Sequence, residues 1–164
     1  MYMRESKSSS IKESEKILNS IYGKGRKLYV KDIMSKDLIT LHIDSKLSVA
    51  DELVHQRAIN HVPIVDDDDK LIGLITSKDI IRETCQTQTH RTNCVREELK
   101  DKISVGEIMR GGLITIKDGT LITKAAKIMV EENVGCLPVV SNNGLLLGIL
   151  TEKDFVSLVS RGIN

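Results

Sequence analysis

One stretch of this 164-residue chain occurs twice, and the repetition limits the folds that the chain can adopt. Gly-Leu-Ile-Thr-Ser-Lys-Asp at 73–79 recurs as Gly-Ile-Leu-Thr-Glu-Lys-Asp at 148–154. Shifting the sequence by 75 positions aligns residues 30–79 on 105–154 without a gap, and 14 of the 50 aligned pairs are identical. A period of this length with constant register indicates the duplication of a whole supersecondary unit.

Each copy is predicted to fold in the order β-α-β-β-α. In the first copy, apolar spacing and turn residues predict a short apolar anchor followed by five elements: Ile33-Met34, strand Leu38–Ile43, helix from Asp44-Ser45, strand His61–Val65, strand Leu71–Ile75 and a helix from Thr76 to about Glu83. The second copy is predicted to contain strand Leu113–Ile116, helix Ile122–Glu132, strand Leu137–Val140, strand Leu145–Leu150 and helix Glu152–Val159. Neither small sheet can bury its apolar face alone, so we expect an α+β fold in which the two repeats pack sheet to sheet.

Two details of the predicted hairpins follow from proline and glycine. The only prolines, Pro63 and Pro138, share one repeat position, and we expect each at the start of its strand, where no hydrogen-bond donor is missed. Gly144 in the second turn has no counterpart in the acidic turn Asp66–Asp69, which predicts two turns of different type. The acidic turn could bind a divalent cation through its oxygens, but a solvated turn is the simpler interpretation.

The repeats divide the chain into four parts: an N-terminal arm at 1–29, repeat 1 at 30–83, a linker at 84–104 and repeat 2 at 105–160. The arm is basic and is predicted to form a short amphipathic helix at Ile11–Tyr22, which either packs on the protein or contacts an anionic partner. The linker contains Cys85, His90 and Cys94, which are too few and too irregularly spaced to predict a metal site, and becomes helical at Val95–Lys102.

Composition excludes several classes of protein. Aromatic residues make up 2% of the chain and the net charge is +1, so neither base stacking nor a strong positive field favours binding to nucleic acid. No apolar run reaches the ~20 residues of a membrane helix, and the polar N-terminus has no signal-peptide core. Three cysteines do not predict a disulfide framework, so we expect a cytoplasmic protein without membrane contact.

The duplicated turn has a chemistry of its own. A helix N-terminus offers unpaired N–H groups to a phosphate, and Thr76 or Thr151 can add a hydroxyl. Asp79 and Asp154 lie one helical turn further on, where a carboxylate can accept hydrogen bonds from the two hydroxyls of a ribose. The same Thr-x-x-Asp spacing is close to a capping box, in which the two side chains serve only the helix itself.

Taken together, these motifs resemble a known family. An acidic residue followed by Ile-Met, a Leu-Ile-Thr strand, Leu-x-x-Ala or Ile-x-x-Ala in a helix, a proline-containing strand and Gly-x-x-Thr-x-x-Asp occur in this order in both copies. Residues 30–160 are therefore similar to a tandem pair of CBS (cystathionine-β-synthase type) domains, a Bateman module. The resemblance implies a pseudo-twofold module that binds AMP, ADP, ATP, NAD or S-adenosylmethionine. It also implies a homodimer and a separate regulated protein as partner.

The resemblance extends the candidate nucleotide-binding site to two matching sets of residues. The first contains Ile39, Thr40, Ile59, Asn60, His61, Pro63, Thr76 and Asp79, and the second contains Ile114, Thr115, Val134, Gly135, Cys136, Pro138, Thr151 and Asp154. Because His61 can carry a positive charge and Cys136 cannot, the first set is predicted to bind phosphate better.

Three other functions make different demands on the sequence. An enzyme would need a nucleophile–base set, an HExxH motif or a phosphate-binding loop, and the sequence contains none of them, so no catalytic residues are predicted. A structural or oligomerisation module would leave both sites empty, and a DNA-binding regulator would depend on the basic arm. The expected function is therefore a non-catalytic module that senses an adenine nucleotide.

Overall fold

The structure is a computed structural model that describes residues 27–57, 59–84 and 100–162. The predicted arm helix at 11–22 and the Cys85–Cys94 motif lie outside these residues. So does the predicted linker helix apart from its last residues, of which Lys100 is helical.

Repeat 1 forms a three-stranded sheet with two helices. A 3-10 turn at Val30–Asp32 precedes β1 (Leu41–His42), α1 (Leu47–Arg57), β2 (His61–Val65), β3 (Leu71–Thr76) and α2 (Ser77–Thr84). The strands lie in the order β1-β2-β3, with β1 parallel to β2 and β2 antiparallel to β3. The hairpin register pairs His61 with Thr76 and Pro63 with Leu74.

Repeat 2 follows the same order with one strand fewer. It contains α3 (Val105–Ile108), α4 (Ile122–Glu131), β4 (Cys136–Val140), β5 (Leu146–Thr151) and α5 (Glu152–Gly162). Strands β4 and β5 form a two-stranded sheet. The predicted α+β class is confirmed. Among the residues that the structure describes, no helix has both the length and the apolar character needed to cross a membrane.

The first predicted strand of each repeat is much shorter than expected. Of the predicted Leu38–Ile43, only Leu41–His42 forms a strand, because only these residues lie beside a partner backbone, at Ile64–Val65. The predicted strand Leu113–Ile116 is reduced to a single bridge between Ile116 and Val139. β-branched composition indicates where a strand can form, but the partner strand determines how long it becomes.

Both prolines were misplaced by one or two residues. Pro63 is the third residue of β2 and Pro138 the third of β4, not the first. The position is tolerated because pairing to β1 begins one residue later, at Ile64, so the missing N–H of Pro63 has no strand residue opposite on that side. Pro138 uses its carbonyl, which accepts a hydrogen bond from the Ile116 N–H at 3.0 Å.

The described residues separate into two compact units that do not coincide with the two repeats. One unit contains the described residues of 37–115 together with 140–146. The other contains residues 27–36, 116–139 and 147–162. Val105, which begins repeat 2, is fully buried in the core formed by repeat 1, beside Leu47 and Ile75. Val30, which begins repeat 1, is fully buried in the core of repeat 2, beside Leu137 and Leu150. The opening segments of the two repeats are therefore exchanged.

The exchanged segments are held by equivalent backbone bridges. Leu74 in β3 exchanges two hydrogen bonds with Arg110, at 3.0 and 2.9 Å. At the matching position, Ile149 in β5 exchanges two hydrogen bonds with Ser35, both at 3.0 Å. Each bridge brings the residue that follows an Ile-Met anchor to the strand that leads into a Thr-x-x-Asp turn.

The two hairpin turns share a conformation, which contradicts the prediction of two turn types. Asp69 has φ = 57° and Gly144, at the same repeat position, has φ = 88°. In both turns this residue donates its N–H to the carbonyl three residues earlier, at 3.1 Å. Asp69 takes the position without glycine because a short polar side chain tolerates the left-handed region better than most.

Replacing Asp69 by glycine is expected to stabilise the protein by about 0.5 kcal/mol. The left-handed backbone costs an L-residue about 1 kcal/mol, which the greater freedom of glycine in the unfolded chain partly offsets. Urea unfolding should show a higher midpoint with an unchanged m-value. The reverse change, Gly144→Asp, should destabilise by a similar amount, and a stabilising Gly144→Asp would contradict the assignment.

Candidate ligand-binding site

The Thr76–Asp79 turn closes on itself at the start of α2. Asp79 Oδ2 accepts hydrogen bonds from the Thr76 N–H at 3.0 Å and from the Thr76 hydroxyl at 2.5 Å. The Asp79 N–H donates to Thr76 Oγ1 at 3.3 Å. These are the reciprocal contacts of a capping box, so the capping interpretation of the motif applies to this copy.

Two arginines occupy the other oxygen of Asp79. Arg110 donates to Oδ1 from Nε at 2.9 Å and from Nη2 at 2.6 Å, and Arg82 donates from Nη2 at 3.0 Å. Five donors thus meet one carboxylate, which has about four acceptor positions. Asp79 is only 1% exposed. Burial raises the pKa of its carboxyl, but the hydrogen bonds from Thr76 and Arg110 together with the guanidinium charge hold that pKa below its usual value.

The Thr151–Asp154 turn is similar but has one carboxylate oxygen nearly free of donors. Asp154 Oδ2 accepts hydrogen bonds from the Thr151 N–H at 2.7 Å and the Thr151 hydroxyl at 2.8 Å. Among the residues that the structure describes, its Oδ1 has one long contact, 3.5 Å, from the Ser35 hydroxyl. Ser35 occupies the repeat position of Arg110, so a neutral hydroxyl stands where the first turn has a guanidinium.

The remaining candidates of the first set lie around the same strand ends. His61 is half-buried and pairs with Thr76 across the hairpin, and the Asn60 carbonyl accepts the Ser77 N–H at 3.2 Å. Ile59 packs against the core of this unit and Pro63 is buried within it. Ile39 is half-buried and Thr40 exposed, in the segment that leads into β1.

The second set is only partly brought together. The Gly135 carbonyl accepts the Glu152 N–H at 3.2 Å, as Asn60 does for Ser77, and Val134 packs against the core of this unit. Pro138 and Cys136 are buried in β4. Ile114 and Thr115 are exposed and belong to the other compact unit, unlike the rest of this set.

Cys136 is a neutral thiol in this environment. Burial and the nearby Glu152 carboxylate raise the pKa of Cys136 to about 11. Its thiolate is therefore almost absent at neutral pH, and the side chain is 7% exposed. This agrees with the expectation that Cys136 has no charge to offer a ligand.

We expect Cys136 to resist alkylation at neutral pH. Iodoacetamide labelling of the native protein, followed residue by residue with peptide mass spectrometry, should modify Cys136 slowly at pH 7.5 and faster as the pH approaches about 11. Removing the nearby negative charge with Glu152→Gln should move the pH profile downward. Rapid labelling at pH 7.5 would contradict a thiol that is both buried and protonated.

The sequence did not indicate that Arg110 and Ser35 belong to the site. Each follows an Ile-Met anchor and reaches the aspartate of the other repeat, 31 residues away for Arg110–Asp79 and 119 for Ser35–Asp154. The alignment places them at one position but gives no reason to connect them with Asp79 or Asp154. Only the exchange of the opening segments makes these contacts possible.

The chain is built from two repeats of related β-α-β-β-α order, and each repeat ends in a strand, a Thr-x-x-Asp turn and a helix. The chain belongs to the CBS domain family, whose model matches residues 30–84 and 105–161 and so identifies a tandem CBS pair.

Relatives of similar length share this organisation. A CBS domain-containing protein of Dictyostelium discoideum is 36% identical over 133 residues, which are 81% of this chain and 92% of that protein. An uncharacterized protein of Methanocaldococcus jannaschii is 30% identical and covers 85% of this chain and 96% of its own length. By contrast, the match to homoserine O-acetyltransferase of Methanococcus vannielii is 28% identical and spans 25% of that protein.

Solved structures give the same result. A putative acetoin utilization protein from Vibrio cholerae superposes with a TM-score of 0.70 at 28% identity, covering 84% of this chain and 94% of that one. A CBS domain pair crystallised with 5′-methylthioadenosine and S-adenosyl-L-methionine superposes with a TM-score of 0.69 at 32% identity, covering 83% and 98%.

Proposed function

We propose that this CBS pair is a non-catalytic regulatory module that binds an adenosine-containing ligand. The ligand class includes AMP, ADP, ATP, NAD and S-adenosylmethionine, and a separate protein responds to the bound state. The candidate residues are the two sets around Thr76–Asp79 and Thr151–Asp154.

The observation that carries the proposal is the nearly free oxygen of Asp154. Its Oδ2 accepts the hydrogen bonds of the helix cap, whereas Oδ1 has only the 3.5 Å contact from Ser35 within the described part of the chain. An ionised carboxylate oxygen with unused lone pairs, half-buried at a helix start, suits the two hydroxyls of a ribose. The related CBS pair that was crystallised with two adenosine-containing molecules supports this ligand class.

The test is calorimetric titration with AMP, ADP, ATP, NAD, S-adenosylmethionine and 5′-methylthioadenosine on the wild type and on Asp154→Asn. The asparagine keeps an oxygen for the helix cap and puts an NH2 group in place of the open acceptor, so it removes ribose binding without removing the cap. Binding of at least one ligand, weakened about tenfold or more by Asp154→Asn, is the expected result. Asp118→Ala, which deletes an exposed carboxylate from the same unit, is the matched control.

A structural or oligomerisation module with empty sites is the alternative that one observation favours. All acceptor positions of Asp79 are already filled by Thr76, Arg82 and Arg110, as expected of a purely structural cap. The alternative predicts that the wild type binds none of the six ligands, while sedimentation shows a homodimer that no ligand affects. Binding to the wild type that Asp79→Asn, Asp154→Asn and Asp118→Ala all leave unchanged would refute the assignment of both sites.

A further inference from the structure

The two Thr-x-x-Asp turns differ most in the charge that surrounds them. Beside the first lie Arg82 and Arg110, which contact Asp79, and the exposed Lys78. Beside the second lie the exposed Lys153 and Lys36, neither of which forms an ion pair with Asp154 within the described residues, and its helix begins with Glu152 where the first has Ser77. Two arginines thus contact the aspartate of the first turn, whereas no arginine among the described residues contacts Asp154, and Glu152 adds a second carboxylate at that turn.

We propose that Arg110 makes the first turn selective for phosphorylated adenine nucleotides, whereas Ser35 leaves the second turn to adenosine compounds without a phosphate. Arg110 and Ser35 act as specificity-determining residues at one repeat position. The inference rests on the proposed function, since it assigns a ligand class to each of its two sites.

The contacts of Asp79 explain why a ligand without a phosphate is rejected at the first turn. Its Oδ1 is filled by Arg110 and Arg82, so a ribose has to displace a guanidinium before it can bind. An uncharged nucleoside offers the displaced Arg110 no new partner. The exchange would therefore replace a hydrogen bond between two charged groups with one in which the donor is a neutral hydroxyl.

A phosphorylated nucleotide changes this balance. Its phosphate gives the Arg110 guanidinium a bidentate anionic partner, and Arg110 leaves Asp79 Oδ1 to the ribose hydroxyls. Arg82 remains at 3.0 Å from Oδ1, so the buried carboxylate keeps a counter-charge during the exchange. The Arg110 side chain is 55% exposed, which leaves it room to turn, while its backbone stays paired with Leu74.

The second turn has the opposite preference. Ser35 Oγ is 3.5 Å from Asp154 Oδ1, so a ribose there competes with a neutral hydroxyl and with no charged donor from the described residues. A phosphate at this turn would face the carboxylates of Glu152 and Asp154 without an arginine to offset them. Repulsion between these carboxylates and a phosphate disfavours binding of a nucleotide, which leaves uncharged or cationic adenosine compounds as the ligands of this site.

The experiment compares AMP with 5′-methylthioadenosine, which has no phosphate, by calorimetry. In Asp154→Asn, where the second site is disabled, AMP should bind about tenfold or more tightly than 5′-methylthioadenosine. Adding Arg110→Ser should reduce this preference to about threefold or less, and Arg110→Lys should retain part of it, because lysine keeps the charge but loses the fork. Arg57→Ser, which removes an exposed arginine elsewhere in the same unit, controls for net charge.

The reciprocal change tests the second site. Ser35→Arg in the otherwise native chain should weaken the tightest binding of 5′-methylthioadenosine about tenfold, since the new guanidinium occupies Asp154. Equal affinities of AMP and 5′-methylthioadenosine in Asp154→Asn, or a preference that survives Arg110→Ser in a folded protein, would overturn the inference and leave the proposed function standing. A wild type that binds neither compound nor any other adenylate overturns both.

Discussion

Replacing Asp79 by alanine is expected to lower the free energy of unfolding by about 3 kcal/mol. The change removes a helix cap worth about 1 kcal/mol and a buried carboxylate that receives charge-assisted hydrogen bonds from Arg82 and Arg110. Breaking a buried ion pair usually costs about 3–5 kcal/mol. We expect the lower end for Asp79→Ala because both arginine side chains are more than half exposed and can hydrogen-bond to water in the variant. Urea unfolding of the wild type and variant measures the difference.

The matched change at the second turn should cost much less. Asp154→Ala removes the same type of cap, but the described residues give its Oδ1 only the long contact from Ser35, so we expect a loss of about 1 kcal/mol. Arg110→Ala should also cost about 1 kcal/mol, since Arg82 still neutralises Asp79. Equal costs for Asp79→Ala and Asp154→Ala would show that the arginines do not stabilise the first turn.

The stabilisation by the Asp79 charge depends on pH in a definite direction. Its pKa in the folded protein is lowered from 3.8, so the folded state favours the ionised form. The contribution is complete above the unfolded pKa and is lost as the pH falls through the folded value. The difference in stability between the wild type and Asp79→Asn should therefore be constant at neutral pH and shrink below about pH 4.

Replacing Gly148 by alanine is expected to destabilise the protein by about 3 kcal/mol. A Cβ atom at this position would lie 2.7 Å from Met34 Sδ and 2.9 Å from the Ser35 carbonyl oxygen. That oxygen belongs to the backbone and accepts a hydrogen bond from the Ile149 N–H at 3.0 Å, so it cannot move away without breaking the bridge. Overpacking a well-packed core usually costs about 1–3 kcal/mol, and we expect the upper end here because the backbone cannot move. Thermal and urea unfolding both measure the loss.

The equivalent glycine of repeat 1 should be less sensitive. A Cβ at Gly73 would meet the Met109 side chain, whose Sδ, Cγ and Cβ are its three nearest atoms, whereas a backbone oxygen is among the three nearest at Gly148. Methionine is flexible, so partial rearrangement should limit the cost to about 1–2 kcal/mol. Gly119→Ala, where a Cβ would have no neighbour within 4 Å, is the control and should change stability by less than about 0.5 kcal/mol. A Gly148→Ala protein as stable as this control would contradict the close approach of Ser35.

The elements that sequence reasoning located well depend on local pattern. The bounds of β2, β3 and β4 agree with the predictions to within one residue, and α4 ends one residue earlier than predicted. Runs of branched apolar residues between turn residues specify a buried strand within a few positions, and the Thr-x-x-Asp spacing marks the helix start that follows. The strands predicted at Leu38–Ile43 and Leu113–Ile116 were too long because strand length depends on a partner elsewhere in the chain.

The candidate site shows the same division. Thr76 with Asp79 and Thr151 with Asp154 were predicted as pairs, and both are hydrogen-bonded, because they are three residues apart at a helix start. The difference between the pairs was expected from His61 and Cys136. In the structure a larger difference comes from Arg110 and Ser35, which no local pattern connected to either aspartate.

The sequence by itself determined that the chain is a duplicated β-α-β-β-α unit of the CBS family, since a gapless 75-residue period and short-range motifs need no tertiary information. Only the tertiary structure decided that each opening segment packs in the other repeat, and so that Arg110 meets Asp79 while Ser35 meets Asp154. It also explains the glycine that begins each repeated motif, because Met109 or Met34 and Ser35 occupy the space of a Cβ. These contacts join residues far apart in the chain, and their energies come from burial and charge pairing that exist only once the segments have been exchanged.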